Sequence, residues 1–296
     1  MRFVKMHGAG NDYVYVDGFQ ERLLPDPGKL AVRIADRHFG VGGDGLILIL
    51  PPETPDGDVR MRMFNADGSE SEMCGNGVRC VAKYAVDHGL VSSESPVVRV
   101  ETLAGLKTID VVRGADGKVE AARVDMGVPR LRRGEIPMSG PPHAPAVDVP
   151  LEVAGRSYRI TALSMGNPHC VVFLPSVDDL RLDEIGPAFE HHPAFPRRVN
   201  AEFCRVMDRE TLQMRVWERG TGETLACGTG ASAAAVAAHL NGLTGRRVTI
   251  HVRGGTLSLE WGADDHVYLT GPAVEVFSGE WPDEPGPATI EGGPVR

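Results

Sequence analysis

The chain has 296 residues, 42% of them hydrophobic, with 36 glycines, 22 prolines and a formal net charge of −9, which describes a folded globular chain of one large or two medium domains, rich in turns. With that acidic balance and no basic run, a nucleic-acid role has no support, and no stretch nears the roughly 18 consecutive apolar residues of a membrane span. The opening MRFVKMHGAGND has no apolar signal core, so the expected location is the cytoplasm.

In chain order, residues 3–19 read as strand, glycine turn, strand, since VYVD carries the β-branched and aromatic residues that favour extension. DPGKLAVRIADRHFG, residues 26–40, reads as a helix stopped by Gly40. DGLILILPP is a buried strand ended by prolines, and VRMRMFNADGSE alternates before a hairpin turn at Asp67-Gly68. GVRCVAKYAVDHGL is a helix ending at Gly89. Strands follow over 97–102, 106–112 and 119–126. The Pro-rich stretch 128–150 has no period and reads as a connection between two halves. A second series follows: LEVAGRSYRITALSMGNPHCVVFL, a helix-like VDDLRLDEIGPAFEHH, the strands NAEFCRVMD and LQMRVWERG, a helix TGASAAAVAAHLNGL, and the strands RVTIHV, TLSLEW and HVYLTG. The tail from Gly279 is expected to be loose after its first residues.

The two halves repeat one another. RMFNADGSESEMCGNGVRCVAKYAVDHGL from Arg62 aligns without a gap on RVWERGTGETLACGTGASAAAVAAHLNGL from Arg215, an offset of 153 residues. Arg, an aromatic, Glu, Cys-Gly-x-Gly and the final Gly-Leu coincide, and Gly10-Asn11 before YVYV loosely matches Gly166-Asn167 before CVVF. A period of half the chain means two pseudo-equivalent domains.

Five cysteines, an odd number, and no Cys-x-x-Cys pair argue against a disulfide framework or a closed zinc site. Cys80, Cys170 and Cys204 read as small buried hydrophobes. Cys74 and Cys227 differ from these: each lies at the turn into a helix, at the same repeat position, whereas the counterpart of Cys80 is Ala233. A helix start carries partial positive charge and free N–H groups. That lowers a thiol's pKa from its usual value of about 8.5, and the same N–H groups bind a carboxylate. Gly75 and Gly77, then Gly228 and Gly230, let the backbone come close. With the halves face to face, two thiols flank one carboxylate, an arrangement suited to inverting a stereocentre. One thiolate takes the α-hydrogen from one face, and the opposite thiol returns a proton to the other.

Other features read as structural. GVGGDG at 40–45 lacks the Gly-Lys-Ser/Thr of a phosphate loop, and GAGND lacks the third glycine of a dinucleotide fingerprint. Arg132-Arg133 and Arg246-Arg247 read as solvated surface, and His191-His192 as a helix end.

FVKMHGAGND, NADGSESEMCGNGVRC, GNPHCVVF, VWERGTGETLACGTGASA and TGPAVEVF together resemble the diaminopimelate epimerase family over nearly the whole chain. The resemblance implies cofactor-independent conversion of LL-2,6-diaminopimelate to the meso form in lysine and peptidoglycan precursor synthesis, by a homodimer. It implies an α/β (α+β) fold of two pseudo-symmetric domains, each a curved, mainly antiparallel sheet around a central helix. These are 1–126 with a returning 273–296, carrying Cys74, and 127–272, carrying Cys227. By motif, Cys74 and Cys227 would be the acid/base thiols, supported by His169 and Glu218. Asn11, Asn65, Asn167 and Asn200 would line the pocket. Gly75 and Asn76, then Gly228 and Thr229, would offer backbone N–H groups to the reacting carboxylate, and Glu218 and Arg219 would engage the substrate's charged groups. One position departs from the family's pattern: Gly45 stands where many members have Gln, so a polar contact there would pass to backbone or water.

Other readings compete. A proline or hydroxyproline racemase shares the two-thiol logic, but that family carries His where this chain has Asn76 and lacks the WERG segment, and proline has no second carboxylate for Arg219. A Cys–His hydrolase using Cys74 with His7 or His169 leaves the second thiol idle. A non-catalytic binder needs no thiol pair, and a redox protein would be expected to carry Cys-x-x-Cys.

Overall fold

The computed structural model describes residues 1–22 and 25–282. The first repeat runs β1 (Arg2–Gly8), β2 (Asn11–Asp17), α1 (Pro27–Ile34), β3 (Gly45–Leu50), β4 (Val59–Asn65), a short β5 (Glu70–Ser71), α2 (Gly75–Asp87), β6 (Val97–Thr102), β7 (Gly105–Arg113) and β8 (Val119–Asp125). The second runs β9 (Ala146–Val153), β10 (Arg156–Ser164), β11 (Pro168–Phe173), α3 (Leu182–Glu190), β12 (Asn200–Val206), β13 (Thr211–Glu218), a short β14 (Gly222–Thr224), α4 (Gly228–Leu240), β15 (Arg247–Val252), β16 (Gly255–Trp261) and β17 (Val267–Pro272). Strand β18 (Val274–Glu280) follows. Helices α2 and α4 stand 153 residues apart at both ends, the offset of the sequence repeat.

Strand pairing gives one continuous order, β18–β1–β2–β3–β4–β6–β7–β8–β17–β16–β15–β13–β12–β11–β10–β9, with β5 on β4 and β14 on β13. The order reads alike from either end, and so do the parallel pairs: β2–β3 and β4–β6 in the first repeat, β11–β12 and β13–β15 in the second. All other pairs are antiparallel. The fold is thus α+β and dominated by sheet. The repeats join through β8 against β17, and the last described strand, β18, pairs with β1.

Each repeat curls its strands around one helix. Val78, Cys80, Val81, Ala82 and Ala85 of α2 pack on Ile47, Met61, Val98, Ile109 and Val124. In α4, Ala231, Ala233, Ala234, Val236 and Ala237 pack on Leu163, Val171, Met214, Ile250 and Leu257. An alanine-rich helix buried on nearly every face suits a tightly curved sheet, because strands can approach its axis closely. Helix α1 covers the outer face of the first sheet through Leu30, Ala31 and Ile34, and α3 covers the second through Leu182 and Phe189. Cys80, Cys170 and Cys204 are buried in these apolar clusters, as expected. Among the described residues no helix is long and apolar enough to cross a membrane.

Two expectations change. The helix expected over 26–40 ends at Ile34, because the Asp36 carboxylate takes the N–H groups of His38 and Phe39 at 2.7 and 2.8 Å, and Val41 and Gly42 turn back onto the Ile34 carbonyl. The connection over 128–150 is not featureless: it holds a 3-10 turn at Arg133–Glu135 and the start of β9. Pro150, which lies within β9, is tolerated there because that strand pairs on one side with β10. Of the tail expected to be loose, residues 283–296 lie outside the described residues.

Candidate active site

Both central helices begin in the same way. Cys74 and Cys227 are N-caps in extended conformation (φ −131°, ψ 123° and φ −124°, ψ 115°), and each sulfur accepts the N–H three residues on, from Gly77 at 3.5 Å and Gly230 at 3.4 Å. Side chains at those glycines would collide with what lies behind: a Cβ would sit 2.7 Å from Ile47 Cδ1 at Gly77 and 2.8 Å from Glu202 Oε1 at Gly230. Met126, just after β8, sits between the two helix starts. A Cβ at Gly75 would lie 3.3 Å from its Cε, and one at Gly228 3.8 Å from the same atom, so both helix starts pack against the one methyl group.

Around Cys74, the sulfur meets Asn11 Oδ1 at 3.3 Å, and Asn76 Nδ2 donates to the same oxygen at 3.3 Å. Asn11 Nδ2 in turn donates to Asp44 at 2.5 Å. Around Cys227, the sulfur meets Thr229 Oγ1 at 3.4 Å, and Asn167 Nδ2 donates to that oxygen at 3.3 Å. His169, 0% exposed, bonds through Nε2 to Asn167 Oδ1 at 2.9 Å and through Nδ1 to Glu202 Oε1 at 2.7 Å. Asn11 and Asn167 therefore each hold the second residue of a helix, Asn11 by accepting from Asn76 and Asn167 by donating to Thr229, but a His–Glu pair backs Cys227 where Tyr13 and Ile47 occupy the matching strand positions behind Cys74.

Burial pushes both thiols above the ordinary cysteine value, Cys227 well above it. The helix N–H groups pull the other way, as the sequence suggests, and burial outweighs them. Burial likewise raises the Glu218 carboxyl, against the Thr224 hydroxyl and the Cys227 thiol beside it. It raises Glu202 too, against His169.

Over the thiols lies a cavity of about 710 Å³, lined by Asn11, Tyr13, Asp44, Asn65, Glu218 and Thr224, among others. Three residues expected from the sequence, Asn11, Asn65 and Glu218, line it directly. Cys74, Gly75, Asn76, Asn167, His169, Cys227, Gly228 and Thr229 are not among its lining residues; Cys74 and Asn76 touch the lining through Asn11, and Cys227 through Glu218. Asn200 is buried, and both ends of its amide are taken, donating to the Pro168 carbonyl at 3.0 Å and accepting the Arg219 N–H at 2.8 Å. Arg219 is exposed, its guanidinium on the Arg197 carbonyl. Gly45 begins β3, and a Cβ there would lie 2.0 Å from the Phe64 carbonyl oxygen, so no side chain fits as the backbone runs. Sequence reasoning missed Glu202 and Arg79. The signal for both was a charged residue inside an apolar run, Glu202 in AEFC and Arg79 in VRCVA.

A family model described as diaminopimelate epimerase matches residues 3–132 and 161–276. The chain belongs to the diaminopimelate epimerase family. A diaminopimelate epimerase of Pelotomaculum thermopropionicum is 57% identical over 95% of this chain and 99% of its own length, and one of Desulfovibrio desulfuricans is 57% identical over 95% and 98%. Among solved structures, a probable proline racemase from Agrobacterium radiobacter K84 superposes with a TM-score of 0.68 at 15% identity, over 97% of this chain and 94% of that one. At that identity the likeness carries the fold alone. Membership makes the chain an isomerase of the epimerase kind.

Proposed function

We propose that this enzyme converts LL-2,6-diaminopimelate to the meso isomer by two-base chemistry, without a cofactor, with Cys74 and Cys227 as the bases. The observation that carries the reading is the pair of helix starts meeting on Met126, each headed by a cysteine N-cap. In this mechanism the reacting carboxylate lies across the N–H groups of Gly75, Asn76, Gly228 and Thr229, where two helix dipoles stabilise the charge it gains as the α-proton leaves. The thiolate on one face takes the α-hydrogen and becomes a thiol. The thiol on the other face gives its proton to the α-carbon and becomes a thiolate, so one proton is exchanged for another. His169 and Glu218 assist at Cys227, and Asn11 and Asn167 hold the thiols' neighbours in place. Asn65, Glu218 and Arg219 at the mouth meet the distal ammonium and carboxylate, for which an Arg fork suits the carboxylate, while Asn200 acts by holding the Arg219 backbone. The lobes follow the repeat: residues 1–126 with the returning strand, and 127–272. The enzyme serves lysine and peptidoglycan precursor synthesis in the cytoplasm, as a homodimer. The half-exposed Val276 and Phe277 on β18 are consistent with a covered edge.

Proton NMR of the reduced protein with LL-diaminopimelate in deuterated water tests this. Deuterium at the α-carbon together with the meso isomer is the expected result. Retention of the α-proton rejects this substrate, and exchange with proline instead moves the reading to a proline racemase.

A further inference from the structure

The two repeats differ in where they bury charge. Arg79 of α2 and Ser232 of α4 occupy the same repeat position. Both side chains turn back to the first residue of their own helix: Arg79 Nη1 donates to the Gly75 carbonyl at 3.0 Å, and Ser232 Oγ to the Gly228 carbonyl at 2.9 Å. The hydroxyl is neutral, whereas the guanidinium is a full charge on a residue that is 0% exposed. Its remaining bonds go to the Pro272 carbonyl at 3.3 Å and to Asn76 Oδ1 at 2.9 Å. All these acceptors are neutral, and among the described residues no carboxylate pairs with it. The fold leaves room for this group: a Cβ at Gly8 of β1 would lie 2.8 Å from Nη2, and one at Gly271 of β17 3.0 Å from Cζ. A buried cation without a counter-charge is strongly destabilising, so a site shaped for one implies an anion close by.

The chain of contacts runs from Arg79 through Asn76 to Asn11 and the sulfur of Cys74. We propose that Arg79 is the built-in counter-charge of Cys74, a positioning residue that makes Cys74 the more readily ionised of the two thiols in the resting enzyme. The inference rests on the two-thiol reading above.

The second repeat has no matching cation. With the Asn167 amide donating to Thr229, His169 Nε2–H donates to Asn167, and one further proton is shared between His169 Nδ1 and Glu202. Neutral His with protonated Glu, or imidazolium with carboxylate, the pair sums to zero charge. The other groups facing the sulfurs do not reverse the difference. Glu218 from the end of β13 acts against charge on both. Tyr13 from β2 is a buried phenol held neutral, and Asp44 reaches Cys74 through Asn11 and is shared with Arg37. From β1, Lys5 is committed to Asp12. Arg79 draws Cys74 down against burial, and no cation of that kind acts on Cys227. The bond from the Cys74 thiol to Asn11 Oδ1 belongs to the protonated form; on ionisation the N–H of Gly77 and the field of Arg79 remain.

Ultraviolet thiolate absorbance, titrated on the reduced full-length protein without substrate, tests this whether or not diaminopimelate is the substrate. The transition at lower pH is expected in the wild type and in Cys227→Ala, and lost in Cys74→Ala; the reverse pattern overturns the proposal. In Arg79→Gln the Cys74 transition is expected to move to higher pH, and iodoacetamide labelling of Cys74 at neutral pH to slow about tenfold, one pKa unit's worth. The Cys227 profile stays in place and Arg79→Lys recovers most of the loss. An unmoved Cys74 profile in folded Arg79→Gln overturns the role of Arg79. Should that variant not fold, the two cysteine variants still decide which sulfur carries the charge.

Discussion

Cys74 and Cys227 each cap a helix and each stand where a proton would be exchanged, and substitution can separate the two properties. Alanine removes the acceptor for Gly77 or Gly230 and is expected to cost about 1 kcal/mol, the worth of a cap. Serine restores the cap but not the acidity. Either substitution at either position is expected to abolish epimerisation. Thermal melts with the NMR assay check this: a Cys74→Ser enzyme that melts like the wild type and turns over normally would sink the thiol mechanism. At this scale the sequence was informative where chemistry repeats, because a cysteine before Gly-x-Gly in both halves marks two helix starts without any knowledge of pairing. Glu202 showed only as a charge inside the apolar run AEFC, and its partner His169, 33 residues away across a parallel strand pair with α3 between, was not legible. Arg79 likewise showed only as a charge inside VRCVA, and nothing more local tells a buried guanidinium from one on a helix surface.

Helix α3 shows how an element distant from the thiols can govern the site. Its last residue, Glu190, accepts the Trp217 indole N–H at 2.8 Å and the Gly220 N–H at 2.9 Å, and so clasps the turn that presents Glu218 and Arg219. Burial opposes ionisation of Glu190, but the indole, the Gly220 N–H and Arg198 outweigh it and hold the carboxyl below the ordinary value. A depressed folded value stabilises above the unfolded pKa of about 4.3, and that stability is lost as pH falls through the folded value. Glu190→Gln is therefore expected to lower the urea midpoint at pH 6 and to narrow its gap to the wild type towards pH 3; a gap constant with pH would remove the charge from the account. The elements themselves were mostly legible, because period-2 and helical patterns recur at the same offset in both halves. The early end of α1 was not, since an Asp side chain competing for backbone N–H groups looks no different in sequence from a solvated helix residue. Nor was the strand in the Pro-rich stretch, which the prolines disguise.

For the whole molecule, the repeats meet through the β8–β17 pair and through Met126 beneath both helix starts. Met126→Ala is expected to destabilise by about 2 kcal/mol, the low end for a partly buried methionine. It should also lower kcat by loosening the spacing of the thiols; a variant that loses stability but keeps kcat would show that β8–β17 alone sets the spacing. The last strand carries a different consequence. Strand β18 lies along β1, and the Met1 carbonyl accepts the Trp281 N–H at 2.8 Å, so β1 finds its partner across nearly the whole of both repeats. During synthesis the first repeat can curl around α2 while β1 waits with one edge bare until β18 has been made. Chains arrested before Val274 should be cut readily within β1 by a protease that spares the released protein. A cell that stalls on this message before β18 would hold both repeats with a sticky seam along β1.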